Sequence, residues 1–211
     1  MSLKKMIYNI RRDFMRLHEG TAKPINNEEF QKVIDNCHAE SFDSLRDIAI
    51  LQMSYRAGLR AMEIAALKLS DILDSKGEIK RTITLRKAGT KGNKGGVAYV
   101  SHVELREALS AYIVNKRSKL DTDSDFLFIS KKGSPFSPSS MSRLFSNIYT
   151  RAGLEGCTSH SGRKSLCKNL NAQNVSVFNI QKIMRHSNIQ TTVNHYLSVD
   201  EETLANLVEE V

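Results

Sequence analysis

The sequence predicts an α+β fold, mainly α-helical with one small antiparallel sheet, on three observations. Apolar residues recur at helical spacing over most of the chain, one stretch alone switches to a period of two, and that stretch is split by a glycine-rich turn. With 211 residues, 40% of them hydrophobic, and only three prolines and eleven glycines, the chain is long enough for one core and excludes a disordered or collagenous polymer. The segment up to Pro24 is a basic lead-in, so residues 1–22 are set apart from a unit spanning 23–211.

Taken in order, a helix follows Asn27 with Phe30, Val33, Ile34 and Cys37 on one face, and a second runs from about Asp43 to Ala57 through Leu45, Ile48, Ala49 and Leu51. Gly58 ends it. Met62 to Leu67 reads as a short helix begun directly after that turn, which puts Arg60 at a helix N-terminus beside a tight corner. From Glu78 to Ser101 the period is two, through Ile79, Ile83 and Leu85 and then Val97, Tyr99 and Val100, around a turn from Ala88 to Gly96. Ser101 and Glu104 have capping-box spacing and open a helix to about Lys116; Phe126 to Ile129 reads as a short strand. The remaining helical segments are Met141 to Thr150 with Gly153 as a stop, His160 to Asn171, Ser176 to Arg185, Thr191 to His195, and a tail after Ser198 in which Glu201 completes another capping box.

Thirty-one Lys and Arg against twenty-three Asp and Glu give a net charge of +8, which favours an acidic polymer as partner. The excess is concentrated: Lys76 to Lys94 holds seven basic residues and one acid, Glu78, whereas Asp200 to Val211 holds five acids and no base. A basic run of this kind is as consistent with a solvated surface as with a nucleic-acid contact. No apolar run approaches the ~18 residues that span a bilayer, and nothing resembles a signal peptide. Cys37, Cys157 and Cys167 are an odd number at spacings of neither a disulfide framework nor a zinc site, which fits the cytoplasm and no metal.

The chemistry-bearing residues come in a fixed order. Arg60 follows Gly58-Leu59; Lys91 lies in the turn Thr90-Lys91-Gly92-Asn93-Lys94; then come His160-Ser161-Gly162-Arg163, Arg185-His186, and Thr191-Thr192-Val193-Asn194-His195-Tyr196. From about Lys23 to Val199 this order resembles the catalytic domain of the tyrosine recombinases, the phage-integrase family that also contains the Xer enzymes. The resemblance implies a site-specific recombinase or integrase that cleaves and rejoins DNA strands through a transient 3′-phosphotyrosyl bond, without metal, ATP or other cofactor.

By that resemblance Tyr196 is the nucleophile, a hydroxyl that cationic neighbours or a base must assist at neutral pH. Arg60 and Arg163 clamp the non-bridging oxygens, which suits planar, permanently charged donors. Lys91 protonates the departing 5′-hydroxyl, with Lys94 of the same turn as the alternative. His160 acts as base or donor near Tyr196, His186 donates to a non-bridging oxygen, and Glu63 orients or neutralises Arg60. Lys87, Lys94, Lys164 and Arg185 are expected on the DNA.

Three positions depart from the common pattern. Gly162 and Lys164 stand where His-x-Leu-Arg-His has Leu and a second His, and Arg185 stands where Leu-Gly-His has Gly. The N-terminal core-binding domain of the family is expected to be absent, leaving a fragment or a minimal enzyme. The implied partners are double-stranded DNA and further copies of the chain, a tetramer joined through the tail, whose Leu204, Leu207 and Val208 form an apolar stripe for docking in cis or in trans. The implied source is bacterial or phage-encoded. A non-catalytic DNA-binding accessory protein and a type IB topoisomerase-like nicking-closing enzyme are the alternative readings.

Overall fold

The computed structural model describes residues 22–40, 43–86, 95–115, 117–119 and 124–196; the side chains of Glu40, Thr191 and Asn194 to Tyr196 fall outside the described set. The predicted turn with Lys87, Lys91 and Lys94 and the tail beyond Tyr196, with its capping box and apolar stripe, also lie outside it.

Helix α1 (Asn27–Glu40) buries the predicted face of Phe30, Val33, Ile34 and Cys37. Helix α2 (Ser44–Tyr55) is buried from Arg46 to Tyr55 on every side, because α1, α5 (Val103–Asn115) and α7 (Ser161–Ala172) all pack around it. Such a helix is the centre of a core rather than one of its walls. Its buried cation is partnered: Arg46 donates to Asp43 Oδ2 (2.7 Å), to Asp47 Oδ1 (2.8 Å) and to the Ile129 carbonyl (3.2 Å). At the other end Tyr55 stacks on Phe30 with ring centroids 3.8 Å apart and donates to Asn27 Oδ1 (2.8 Å), which fixes α1 against α2.

Short helices α3 (Ala61–Ala65) and α4 (Leu69–Ile72) follow, and then the only sheet among the described residues, β1 (Thr82–Leu85) antiparallel to β2 (Gly96–Tyr99), in register from Thr82 opposite Tyr99 to Leu85 opposite Gly96. Ile83, Leu85 and Ala98 face the core, while Val97 and Tyr99 are exposed. Beyond α5 come α6 (Pro138–Arg151), α7, α8 (Val177–Met184) and α9 (Ile189–Tyr196).

Two sequence expectations give way. Phe126 to Ile129 is not a strand: Phe126 bridges Lys68 and Ile129 bridges Pro135, one residue pair each, and the buried Leu127 and Phe128 between them are held by Tyr112, which donates to the Leu127 carbonyl (3.1 Å) and stacks on Phe128. The segment paired with Phe126 turns into α4 at Leu69, so the pairing stops at one bridge. The Ser101–Glu104 capping box does not form either. The Glu104 carboxylate is taken by Arg56 Nη2 (2.7 Å), and the Ser101 hydroxyl turns to the Arg81 carbonyl.

Helix α7 is fitted closely. A Cβ on Gly162 would fall 2.8 Å from Ser54 Oγ and 3.2 Å from Tyr55 N, so α7 rests on the backbone of α2 at the position where a leucine is common. The chain before α1 is fixed to the same helix: Ile25 N donates to Ser165 Oγ (2.8 Å), and Lys23 N reaches the Gly156 carbonyl just ahead of it.

Candidate active site

Arg60 is the N-cap residue of α3, extended at φ −79°, ψ 153°. Glu63, three residues on and thus one turn above, accepts from Arg60 N (2.8 Å) with one carboxylate oxygen and from Arg60 Nη1 (2.8 Å) with the other. The carboxylate is buried at 1% exposure, whereas the Arg60 side chain remains 21% exposed. Its other guanidinium N–H groups make no hydrogen bond among the described residues.

Arg163 enters from α7 and is 1% exposed. Its Nη1 donates to the Gly58 carbonyl, and its Nη2 lies 2.9 Å from the Met184 carbonyl and 3.3 Å from His186 Nε2. Gly58 has φ +61°, a left-handed turn that aims this carbonyl inward, and a Cβ there would meet Leu166 and Met184. On its other side the His186 ring places Nδ1 2.9 Å from Thr192 Oγ1, which is fully buried on α9. A guanidinium only donates, so Nε2 accepts, the ring proton sits on Nδ1, and Thr192 receives it. Donation from Nε2 to a phosphate oxygen takes either a second ring proton or the other tautomer, in which the Thr192 hydroxyl donates to Nδ1.

Arg185 also points inward. Its Nη2 donates to Glu63 Oε2 (2.9 Å) and to the Gly58 carbonyl (2.7 Å), and only 10% of the side chain is exposed. The expectation that Arg185 lies on the DNA therefore meets a different geometry, with the guanidinium spent on buried protein groups. Burial pulls the Glu63 carboxyl up, but Arg185, the Arg60 N–H, Arg163 and Arg60 together hold it below the ordinary carboxylate range. Burial lowers the Arg185 guanidinium against the opposing pull of Glu63.

The structure thus brings Arg60, Arg163 and His186 into one hydrogen-bonded cluster from three distant segments. His160 is the exposed N-cap of α7, one turn before Arg163 and at the same end of the helix. Lys164 follows Arg163 and is half-buried. Tyr196 is the last residue of α9, the helix that Thr192 ties to His186. Three parts of the cluster were not foreseen: the Gly58 carbonyl as a shared acceptor, Thr192, and the inward turn of Arg185. The Thr-Thr pair was visible as part of a motif, but its partner was not. Among the described residues no group of three or more His, Cys, Asp or Glu side chains could hold a metal ion, and no helix is long and apolar enough to cross a membrane.

The sequence profile described as the phage integrase family matches residues 23–203, which takes in every member of this cluster. The chain belongs to the phage integrase family. Within the family it is 29% identical over 199 residues to transposase A from transposon Tn554 of Staphylococcus aureus, covering 91% of this chain and 53% of the relative. It is 28% identical over 173 residues to the tyrosine recombinase XerD of Halalkalibacterium halodurans, covering 81% of this chain and 55% of that protein. The chain spans about half the length of the curated relatives it matches. Among solved structures, XerA recombinase superposes with a TM-score of 0.71 at 24% identity, over 89% of this chain and 64% of XerA. XerH bound to its difH substrate before cleavage superposes with a TM-score of 0.68 at 22% identity, over 89% of this chain and 53% of XerH. The mostly helical fold with one small antiparallel sheet is therefore the fold of the recombinase catalytic domains.

Proposed function

We propose that this chain cleaves and rejoins DNA strands, with Tyr196 as nucleophile and a scissile phosphate held over the Arg60–Arg163–His186 cluster. Arg60 on the buried Glu63 carboxylate, Arg163 from about a hundred residues further on against the buried Gly58 carbonyl, and the His186 imidazole beside Arg163 carry the reading. Arginines clustered in this way form a site for an oxyanion, and fixed cations act most strongly where negative charge develops in the transition state.

In this reading the Tyr196 hydroxyl oxygen attacks phosphorus and forms a P–O bond, while the bond from phosphorus to the 5′ oxygen breaks. The tyrosyl proton leaves toward His160, and the leaving oxygen takes a proton from Lys91, or from Lys94 of the same turn. Arg60, Arg163 and His186 meet the two non-bridging oxygens. Because the phosphotyrosyl ester keeps the energy of the broken bond, a 5′-hydroxyl reverses every step and reseals the strand.

Lys87, Lys94 and Lys164 extend the contact along the duplex, and their number makes affinity fall steeply with salt. Residues 23–211 form the catalytic unit and residues 1–22 lead into it. Further copies assemble on DNA through the tail stripe of Leu204, Leu207 and Val208. The homologous recombinases and the transposase named above support DNA as the substrate.

The test is a denaturing gel of the protein with labelled nicked duplexes drawn from the flanks of its own genetic element, run beside Tyr196→Phe. A shifted band with wild type alone, and equal binding of both on a native gel, is the expected result. Covalent attachment by Tyr196→Phe refutes the assignment.

A further inference from the structure

Arg185 forms the corner between α8 and α9 with φ 54°, a left-handed backbone in which an L side chain is strained and glycine is not. The side chain nevertheless makes three contacts that glycine cannot make. Its Nη2 donates to Glu63 Oε2 (2.9 Å) and to the Gly58 carbonyl (2.7 Å), and its stem crosses Gly96, where a Cβ would fall 2.8 Å from Arg185 Cδ. It therefore touches the carboxylate that holds Arg60, the carbonyl that receives Arg163, and the first residue of β2. Nη1 is occupied by the Ile183 carbonyl (3.0 Å).

The charge balance shows what the contact with Glu63 does. With Arg185 present, three guanidinium groups act on one carboxylate and leave two positive charges in excess; without it, Glu63 belongs to Arg60 alone and one remains. We propose that Arg185 is a positioning residue: by sharing Glu63 it frees the charge of Arg60 to meet a phosphate. This rests on the reading of the cluster as a phosphate site.

Inorganic phosphate, titrated calorimetrically, probes the cluster without a known DNA site. Arg185→Gly suits the corner backbone, so the fold is expected to persist by circular dichroism while the phosphate dissociation constant rises about tenfold, the effect of one unit charge at short range in a partly screened site. Adding Glu63→Gln returns the charge excess to two, and the double variant is expected within about threefold of wild type. Gly96→Ala, which crowds the stem and leaves every charge in place, is expected to fall between wild type and Arg185→Gly.

A purely structural role reverses the order, since the second loss then compounds the first. Unchanged affinity in Arg185→Gly, a double variant no tighter than the single, or wild type without saturable phosphate binding overturns the proposal. Covalent attachment to nicked duplex is measured alongside. Wild type that binds phosphate with the expected order of variants, yet forms no attachment, counts against the phosphotyrosyl reading and leaves the role of Arg185 standing.

Discussion

Replacing Gly162 by alanine adds one methyl group at the closest helix contact near the site, and the outcome can be worked out from three distances. The new Cβ would lie 2.8 Å from Ser54 Oγ, 3.2 Å from Tyr55 N and 3.3 Å from Ser54 C. The hydroxyl can move, but the other two atoms are backbone of the buried central helix. Overpacking of this kind costs about 1–3 kcal/mol, against a gain of up to ~1 kcal/mol from exchanging glycine for alanine in a helix. A net loss of about 1 kcal/mol lowers the melting temperature of a domain this size by roughly 2–4 °C. Calorimetry or circular dichroism on the two proteins measures it. Ser54→Ala removes the 2.8 Å contact but leaves the backbone ones, so in that background the loss should shrink and not vanish. A Gly162→Ala protein that melts at or above wild type refutes the reasoning, because helix propensity would then outweigh contact.

Other outcomes follow from the same structure. Arg163→Lys keeps the charge, but one ammonium cannot serve the Gly58 and Met184 carbonyls and a phosphate together; single-turnover attachment should slow by about 10²–10³-fold, and a near-wild-type rate would count against the clamp. Glu63, held below its ordinary value of 4.5, contributes stability that is present above that pH and lost as pH falls through the folded value. Melting curves between about pH 3 and 7 should therefore show a gap between wild type and Glu63→Gln that is widest above pH 4.5 and closes in acid; a constant gap would mean the carboxylate is not ionised in the fold. Burial pushes the thiols of Cys37 up to about 12 and of Cys167 up to about 11, and raises Cys157. A thiol reagent at mildly alkaline pH should find none of them in native protein and all three after denaturation, and rapid native labelling would contradict the burial.

Much of this architecture was legible in the sequence, because it depends on local pattern. The face of Phe30, Val33, Ile34 and Cys37, the corner at Gly58 with Arg60 at the next helix start, and the switch to strand at Thr82–Leu85 and Gly96–Tyr99 are all set by neighbours within a few residues. The two local expectations that failed did so through distant partners: Arg56 took the carboxylate of Glu104, and the segment alongside Phe126 turned into a helix at Leu69. The same divide runs through the site. The order of motifs brought Arg60, Arg163 and His186 to notice, whereas the inward turn of Arg185 depends on Gly58 and Glu63, more than a hundred residues away. Gly162, a departure from pattern when read as a string, is the residue that lets α7 rest against Ser54.

The bond from Ile25 N to Ser165 Oγ joins residues 140 positions apart. A contact of that span closes a long loop and adds to stability only where the chain between its ends is packed. The helix it fixes is the one that carries Arg163. Loss of that tether leaves the local helices in place while loosening the helix that brings Arg163 to the Gly58 carbonyl.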